Sequence, residues 1–447
     1  MMKFWEYGPL QVSGNQRYLE NGGRPFFWMG DTAWLLFQQC TEEEASLYLK
    51  NRKQKGFNVI QATLVHNMPG EFAGSLARVK CDVTAKEYWD HCEEIVGLAE
   101  AEGMYMALLP AWGSIVKAGI LHLGNVEKYA AYLCDRFGRY PNIIWLLGGD
   151  IRGDVNPELY RVFGTRLKEK MPKALVGYHP FGRTSSSIWF SDEKWLDFHM
   201  FQSGHRRYDQ AVLKQWDDVG EEFYGEDNWK YVDRDLKLEN RKPTIDGEPS
   251  YEWIPQGLHD PKEPYWQAWD VRRYAYWSVF QGAMGHTYGD NAIMQFYHDL
   301  SQPGNYGVRE VWQEAMHHEG SGHMGHLAAL MNSVDFTKGR AAEELLLSGQ
   351  REKYERIAVF AGPDFIFCYD YTGAEFTISL AGYEDRRMYA YWFDPASGVY
   401  SLFREVSGIG ELTLKPPRRY CGQNDWVLVM REGCSGNFAN ISEIYII

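Results

Sequence analysis

Two carboxylates stand where apolar runs end. In IIWLLGGD, residues 143–150, five apolar residues and two glycines lead to Asp150. In TIDGEPSYE, residues 244–252, Glu248 follows a second short run, with Asp246 and Glu252 close by. A charge at the end of a buried strand is costly unless a partner or a reaction uses it. Two acids facing each other across a cleft can cleave a glycosidic bond. One protonates the departing oxygen, and the other attacks the anomeric carbon or activates water. Crowding of Asp246, Glu248 and Glu252 in one turn is expected to raise one pKa by mutual repulsion. For Asp246 and Glu252 the competing expectation is pairing with Arg or Lys that shapes the loop.

Other polar and aromatic residues close similar runs: Asp31, His66, Asn67, Trp112, His179, Gln202, His205, Tyr288 and Asp290. Trp34, Trp112 and Tyr288 are candidate platforms for the flat face of a sugar ring, with helix-to-barrel packing as the alternative for each. His66, His179 and His205 could bind hydroxyls or hold the carboxylates in place. Asp31, Asn67, Gln202, Tyr251 and Glu252 complete the expected sugar-contacting set.

These groups must be positioned by the elements between them. Apolar strands are read at 24–34, 57–67, 104–113, 142–150, 174–182, 195–205, 242–252 and 282–290. Helical patterns lie at 41–56, 84–103, 126–140, 156–171, 208–218, 265–281 and 308–330. The first helix carries a Thr N-cap, acids in its first turn and bases in its last. Strands that are apolar on both faces and alternate with helices imply parallel pairing. Eight such units predict an α/β chain with a closed (β/α)8 TIM barrel over residues 1–345, whose C-terminal strand ends form the active face. An open doubly wound sheet is the alternative, but its glycine-rich phosphate turn is replaced here by GDTAW. Residues 346–447 change to short alternating runs broken by Gly, Pro and Asp, which predicts an all-β sandwich domain.

The chain has 447 residues, a net charge of −14, 17 Trp and 29 Tyr. The negative charge argues against nucleic acid, and no run is long enough for a membrane span. Seven cysteines without a CxxC pattern suit reduced thiols. MMKFWEYGPL has no signal-peptide pattern, so a cytoplasmic location is expected, with a trimmed secretion signal as the alternative.

WLLGGD, DGEPSYE and GHTYG resemble the motifs of the apiosidase-like glycoside hydrolases, family 140, and DWVLV resembles their C-terminal collagen-binding-type β domain. The resemblance implies a retaining mechanism with Asp150 as acid/base and Glu248 as nucleophile. It further implies release of apiose from plant glycans. Gly-Asp stands where the larger related clan has Asn-Glu at strand four. Because no export signal is read, an imported oligosaccharide or glycoside is the expected substrate. No cofactor or metal is required for this chemistry.

HHEGSGHMGH, residues 317–326, lacks the HExxH spacing, although His323 and His326 are three apart on a helix; the competing expectation is the start of the last barrel helix. Ser185 to Ser187 lack a GxSxG elbow. The rival functions are a glycosidase of the same mechanism acting on an arabinoside, glucoside or glucan, and a non-catalytic carbohydrate- or matrix-binding protein. Oligomeric state is not legible.

Overall fold

The computed structural model describes residues 2–66, 80–210, 226–406, 408, 410–419 and 422–433. The chain opens with a small antiparallel sheet of β1 (Leu10–Val12), β2 (Leu19–Asn21) and β3 (Arg24–Phe26). Eight strands follow: β4 (Trp28–Thr32), β5 (Val59–Thr63), β6 (Tyr105–Leu109), β7 (Ile143–Gly148), β8 (Val176–His179), β9 (His199–Phe201), β10 (Thr244–Asp246) and β11 (Gly285–Tyr288). They pair in parallel in the order β11-β4-β5-β6-β7-β8, and β9 pairs with β10. Two backbone bonds close the ring. The Asp197 N–H donates to the Val176 carbonyl at 2.8 Å, joining the β8 and β9 edges, and the Met284 N–H donates to the Thr244 carbonyl at 2.9 Å, joining β10 and β11.

All eight expected strands are present but shorter than the apolar runs that announced them. The run 24–34 is divided, because residues 24–26 leave the barrel for the N-terminal sheet. Strands buried on both faces need the helical cover that alternates with them. The helix Glu42–Gln54 shows how local chemistry sets its start: the Glu44 N–H donates to Thr41 Oγ1 at 3.1 Å, and the Glu44 carboxylate accepts the Thr41 N–H at 2.9 Å. The expected helix at 208–218 falls mostly outside the described residues. The run before β10 instead contains the helix Trp229–Leu236.

Beyond the barrel come β12 (Arg340–Ala341), β13 (Ile357–Gly362), β14 (Phe365–Asp370), β15 (Phe376–Ser379), β16 (Met388–Phe393), β17 (Tyr400–Val406), β18 (Glu411–Leu414) and β19 (Trp426–Glu432). Six form one antiparallel sheet, β12-β13-β14-β19-β16-β17, and β15 pairs with β18. Period-two alternation gives the large sheet two apolar faces. Val359, Ile366, Cys368 and Met430 share a core with Phe376, Ile378, Leu412 and Leu414 of the β15–β18 pair. Phe360, Phe367 and Tyr369 face the barrel helix Ala268–Gln281, where the Tyr369 and Tyr276 rings stack at 4.5 Å. Among the described residues no helix is long and apolar enough to cross a membrane.

Candidate active site

The site is built where β7, β8, β9 and β10 end. Past β7 the chain takes three left-handed residues in succession, with φ of 92° at Gly148, 96° at Gly149 and 50° at Asp150. A Cβ at 148 would lie 2.2 Å from the His179 carbonyl oxygen, and one at 149 would lie 2.9 Å from the Trp112 ring. Only glycine fits both places. The turn they allow brings Asp150 over the strand end instead of letting it continue along the sheet.

The Asp150 N–H donates to His179 Nδ1 at 3.3 Å. Because Nδ1 accepts, Nε2 is the ring nitrogen left to donate. That nitrogen lies 3.3 Å from Glu248 Oε2. On the other side, His205 Nε2 lies 3.1 Å from Glu248 Oε1. The backbone of the same segment is also tied down, since the Gly204 N–H donates to the Glu248 carbonyl at 3.1 Å. Tyr251 completes the setting: its hydroxyl, raised by burial and then by the charge of Glu248, accepts the Trp34 indole N–H at 3.1 Å, and its ring packs 4.8 Å from that of His205.

These partners drive the two acids apart electrostatically. Burial favours the neutral form of Glu248, but His179 and His205, whose Nε2 atoms face its two oxygens, outweigh it and hold the carboxyl down at about 2. Burial and then the charge of Glu248 push Asp150 up to about 6, against the opposing pull of His179, Lys117 and the Gly182 N–H. At neutral to mildly acidic pH one group is a fixed carboxylate and the other can exchange a proton.

Aromatic rings wall one side. Trp34 lies 5.1 Å from Trp112 and 5.1 Å from His179, and His66 lies 4.9 Å from Trp112, between ring centroids. Burial pushes His66 down to about 3, so it is neutral in the working range. Gln202 is buried and its amide lies 3.8 Å from a Cβ placed on Gly182, beside Asp150. Of the expected contacts, Trp34, His66, Trp112, His179, Gln202, His205 and Tyr251 are thus gathered around the acid pair. Asn67 lies outside the described residues.

Three expected contacts face elsewhere, and for these the structure corrects the reading. Asp31 pairs with Tyr48 Oη at 2.6 Å and with the Arg52 guanidinium, both on the helix Glu42–Gln54. Tyr288, its neighbour across β4 and β11, donates to Glu252 Oε2 at 2.6 Å. Glu252 Oε1 accepts the Gly320 N–H at 3.2 Å, at the start of the helix Glu319–Asn332. The three side chains seal the barrel against its helices. Among the described residues Asp246 and Glu252 take no Arg or Lys partner: Asp246 accepts from Ser203 Oγ at 2.6 Å and Asn228 Nδ2 at 3.1 Å. Burial, not crowding, is the main cause that raises them, to about 6 and about 7.

The histidine-rich segment is absorbed by the fold. His318 lies 2.7 Å from Asp290 and 2.9 Å from Glu310, the Arg272 guanidinium donates to His323 Nδ1 at 2.8 Å, and His326 sits 3.3 Å from the Pro395 carbonyl oxygen. Tyr306 was not legible in the sequence. It lies in the loop after β11, with φ of 53°, and its hydroxyl feels the charge of both Asp150 and Glu248. The Asn291 side-chain amide holds its carbonyl at 2.9 Å. A loop position at the C-terminal end of the barrel was its only signal.

Comparison with known proteins identifies the family. Residues 13–338 match the family described as apiosidase-like, catalytic domain, and residues 342–431 match the family described as the putative collagen-binding domain of a collagenase. A solved structure described as a glycoside hydrolase is 37% identical, covering 97% of this chain and 98% of its own, with a TM-score of 0.90. A glycoside hydrolase family 5 from Bacteroides vulgatus ATCC 8482 is 34% identical, covering 96% of this chain and 95% of its own, with a TM-score of 0.89. A search of curated proteins found no match.

Proposed function

From the premise that the chain belongs to the apiosidase-like glycoside hydrolases, we propose that it is a retaining, exo-acting glycosidase in which Glu248 is the nucleophile and Asp150 the acid/base. The non-catalytic matrix-binding reading is set aside by that membership. The observation that carries the assignment is the arrangement of the two strand-end carboxyls, with His179 and His205 on the two oxygens of Glu248 and the other nitrogen of His179 on the Asp150 N–H, which favours an ionised Glu248 and a raised Asp150.

In the first step Glu248 attacks the anomeric carbon while Asp150 gives its proton to the leaving oxygen. The C–O bond breaks and a glycosyl ester forms on Glu248. In the second step Asp150, now a carboxylate, takes a proton from water. The resulting hydroxide attacks the anomeric carbon and releases Glu248. Trp34 and Trp112 offer rings against which the sugar can stack.

Apiose, or a related sugar on a plant glycoside or short oligosaccharide, is the proposed substrate. The same acids would serve an arabinoside or glucoside, since specificity lies in the loops. A panel of aryl glycosides together with apiin separates these, and ¹H NMR of the first-formed anomer reports retention. Glu248→Gln and Asp150→Asn should each lose at least about a thousandfold in kcat on the natural glycoside. Near-wild-type turnover in either variant rejects the assignment.

A further inference from the structure

Accepting the role of Glu248 given above, we propose that the C-terminal β domain is a working part of the catalytic site: Tyr354 is a positioning residue that holds the loop bearing His205.

The connection can be followed atom by atom. Tyr354 belongs to the short turn Lys353–Glu355 that leads into β13. Its hydroxyl donates to Glu226 Oε1 at 2.6 Å. The same oxygen accepts the backbone N–H of Tyr208 at 3.0 Å. The other oxygen of Glu226 accepts from Arg273, which lies on the barrel helix Ala268–Gln281. Glu226 is fully buried and its bond to Arg273 is made away from water, while Tyr354 and Tyr208 reach it from the partly exposed rim. The Tyr354 and Tyr208 rings also meet edge-on, 5.3 Å apart, and the Lys353 ammonium lies 5.4 Å from the Tyr208 ring. Arg273 sits among four rings, two from the barrel helix (Tyr274, Trp277) and two from the β domain (Tyr354, Tyr371), at 4.8–5.2 Å.

Tyr208 stands three residues from His205. Between them, Arg207 bonds Gln256 at 2.9 Å and Glu263 at 2.8 Å. The His205 carbonyl accepts the Gly257 N–H at 2.6 Å and the Trp266 indole N–H at 3.1 Å. His205 is therefore fixed from one side by the loop after β10 and from the other by Tyr208, whose own anchor is shared with the β domain. A misplacement of the imidazole by about 1 Å is enough to lower a rate by two orders of magnitude.

Other contacts between the two domains differ in kind. Arg272 with Asp425 at 2.8 Å and the Tyr276–Tyr369 stack join the β domain to the outside of one barrel helix, and within the β domain the Tyr369 hydroxyl holds Asp425 at 3.1 Å. Those contacts brace the barrel but reach no residue of the acid pair. Tyr369→Phe, which removes the hydrogen bond that steadies Asp425 for Arg272 and keeps the stacked ring, is therefore the control for Tyr354.

The test measures kcat, KM, the pH profile and Tm on the full chain, with the aryl glycoside it turns over best. Tyr354→Ala should lower kcat about tenfold, and Tyr354→Phe about threefold. Both should move the acid limb of kcat/KM upward, because a loosened His205 no longer holds Glu248 down. In a His205→Ala background, Tyr354→Ala should cost nothing further in kcat. Tyr369→Phe should lower Tm without changing kcat or the acid limb. The proposal is overturned if Tyr354 variants change only Tm, as Tyr369→Phe does, or if their loss adds in full to that of His205→Ala. Failure of the underlying assignment would appear separately, as turnover surviving in Glu248→Gln.

Discussion

His179 stands 3.3 Å from the Glu248 carboxylate while its other ring nitrogen accepts the backbone N–H of Asp150. One buried imidazole thus touches both halves of the acid pair, whereas His205 touches only Glu248. The two histidines should therefore fail differently. His179 lowers the pKa of both acids, and His205 contributes to that of Glu248. His179→Ala should raise both limbs of the kcat/KM profile and lower kcat by about a hundredfold. His205→Ala should raise the acid limb alone. A pH–rate series on the two variants checks this, and an unmoved alkaline limb in His179→Ala would contradict the shared contact.

The wild-type profile itself follows from the directions of the two shifts. Glu248 must be ionised and Asp150 protonated in the free enzyme. Glu248, held at about 2, is ionised through the mildly acidic range, and Asp150 loses its proton as pH rises through about 6. Activity should be greatest in mildly acidic solution and fall above pH 6. Asp150→Asn should abolish the alkaline limb. On an aryl glycoside whose phenol leaves without protonation, it should keep a fast first step, seen as a burst of phenol. A profile flat to pH 8 in the wild type would remove Asp150 from the role of acid.

The glycine turn before Asp150 offers a test by backbone strain. Gly149 has φ of 96°, and a Cβ there would press on the Trp112 ring at 2.9 Å and the Gly113 nitrogen at 3.0 Å. Gly149→Ala should lower Tm by about 2 °C, from about 2 kcal/mol of strain, and should depress kcat more than a distant change of equal cost. Gly14→Ala, where an added Cβ meets nothing within 4 Å, should leave both unchanged. Thermal melts and kinetics on the pair decide the matter.

Much of this was legible in the sequence because it is local. The Thr41–Glu44 cap, the glycines before Asp150 and the alternation of apolar runs with helices are each written within a few residues. What could not be read was direction. Residues 28–32 are buried on both faces, so no polar alternation says whether Asp31 points into the barrel or out toward Arg52. Tyr288 and Glu252 were misplaced for the same reason. The histidine clamp on Glu248 joins positions 179, 205 and 248, which only the closed barrel brings together. Its effect is opposite in sign to the crowding that the local acids suggested. Tyr306 carries no motif, and its importance rests on a loop path that periodicity does not describe.

The misdirected residues yield a prediction of their own, on stability instead of rate. Glu252 is raised from its ordinary 4.5 to about 7, first by burial and then by Asp290. His318, against Asp290 and Glu310, is raised from 6.5 to about 9 in spite of burial. A group whose pKa is higher in the folded state binds its proton more tightly there, so its stabilisation is present below the unfolded pKa and disappears as pH rises through the folded one. For Glu252 that window runs from 4.5 to about 7, and for His318 from 6.5 to about 9. Tm should therefore decline as pH is raised from 5 to 9. Glu252→Gln keeps one carbonyl oxygen to accept the Gly320 N–H and can donate its amide N–H to the Tyr288 oxygen, but it cannot ionise. It should flatten the decline between pH 5 and 7 and leave the part above pH 7, which belongs to His318, in place. Calorimetric melts across that range would show it, and a wild-type slope retained in Glu252→Gln would mean that the carboxyl is already ionised at pH 5.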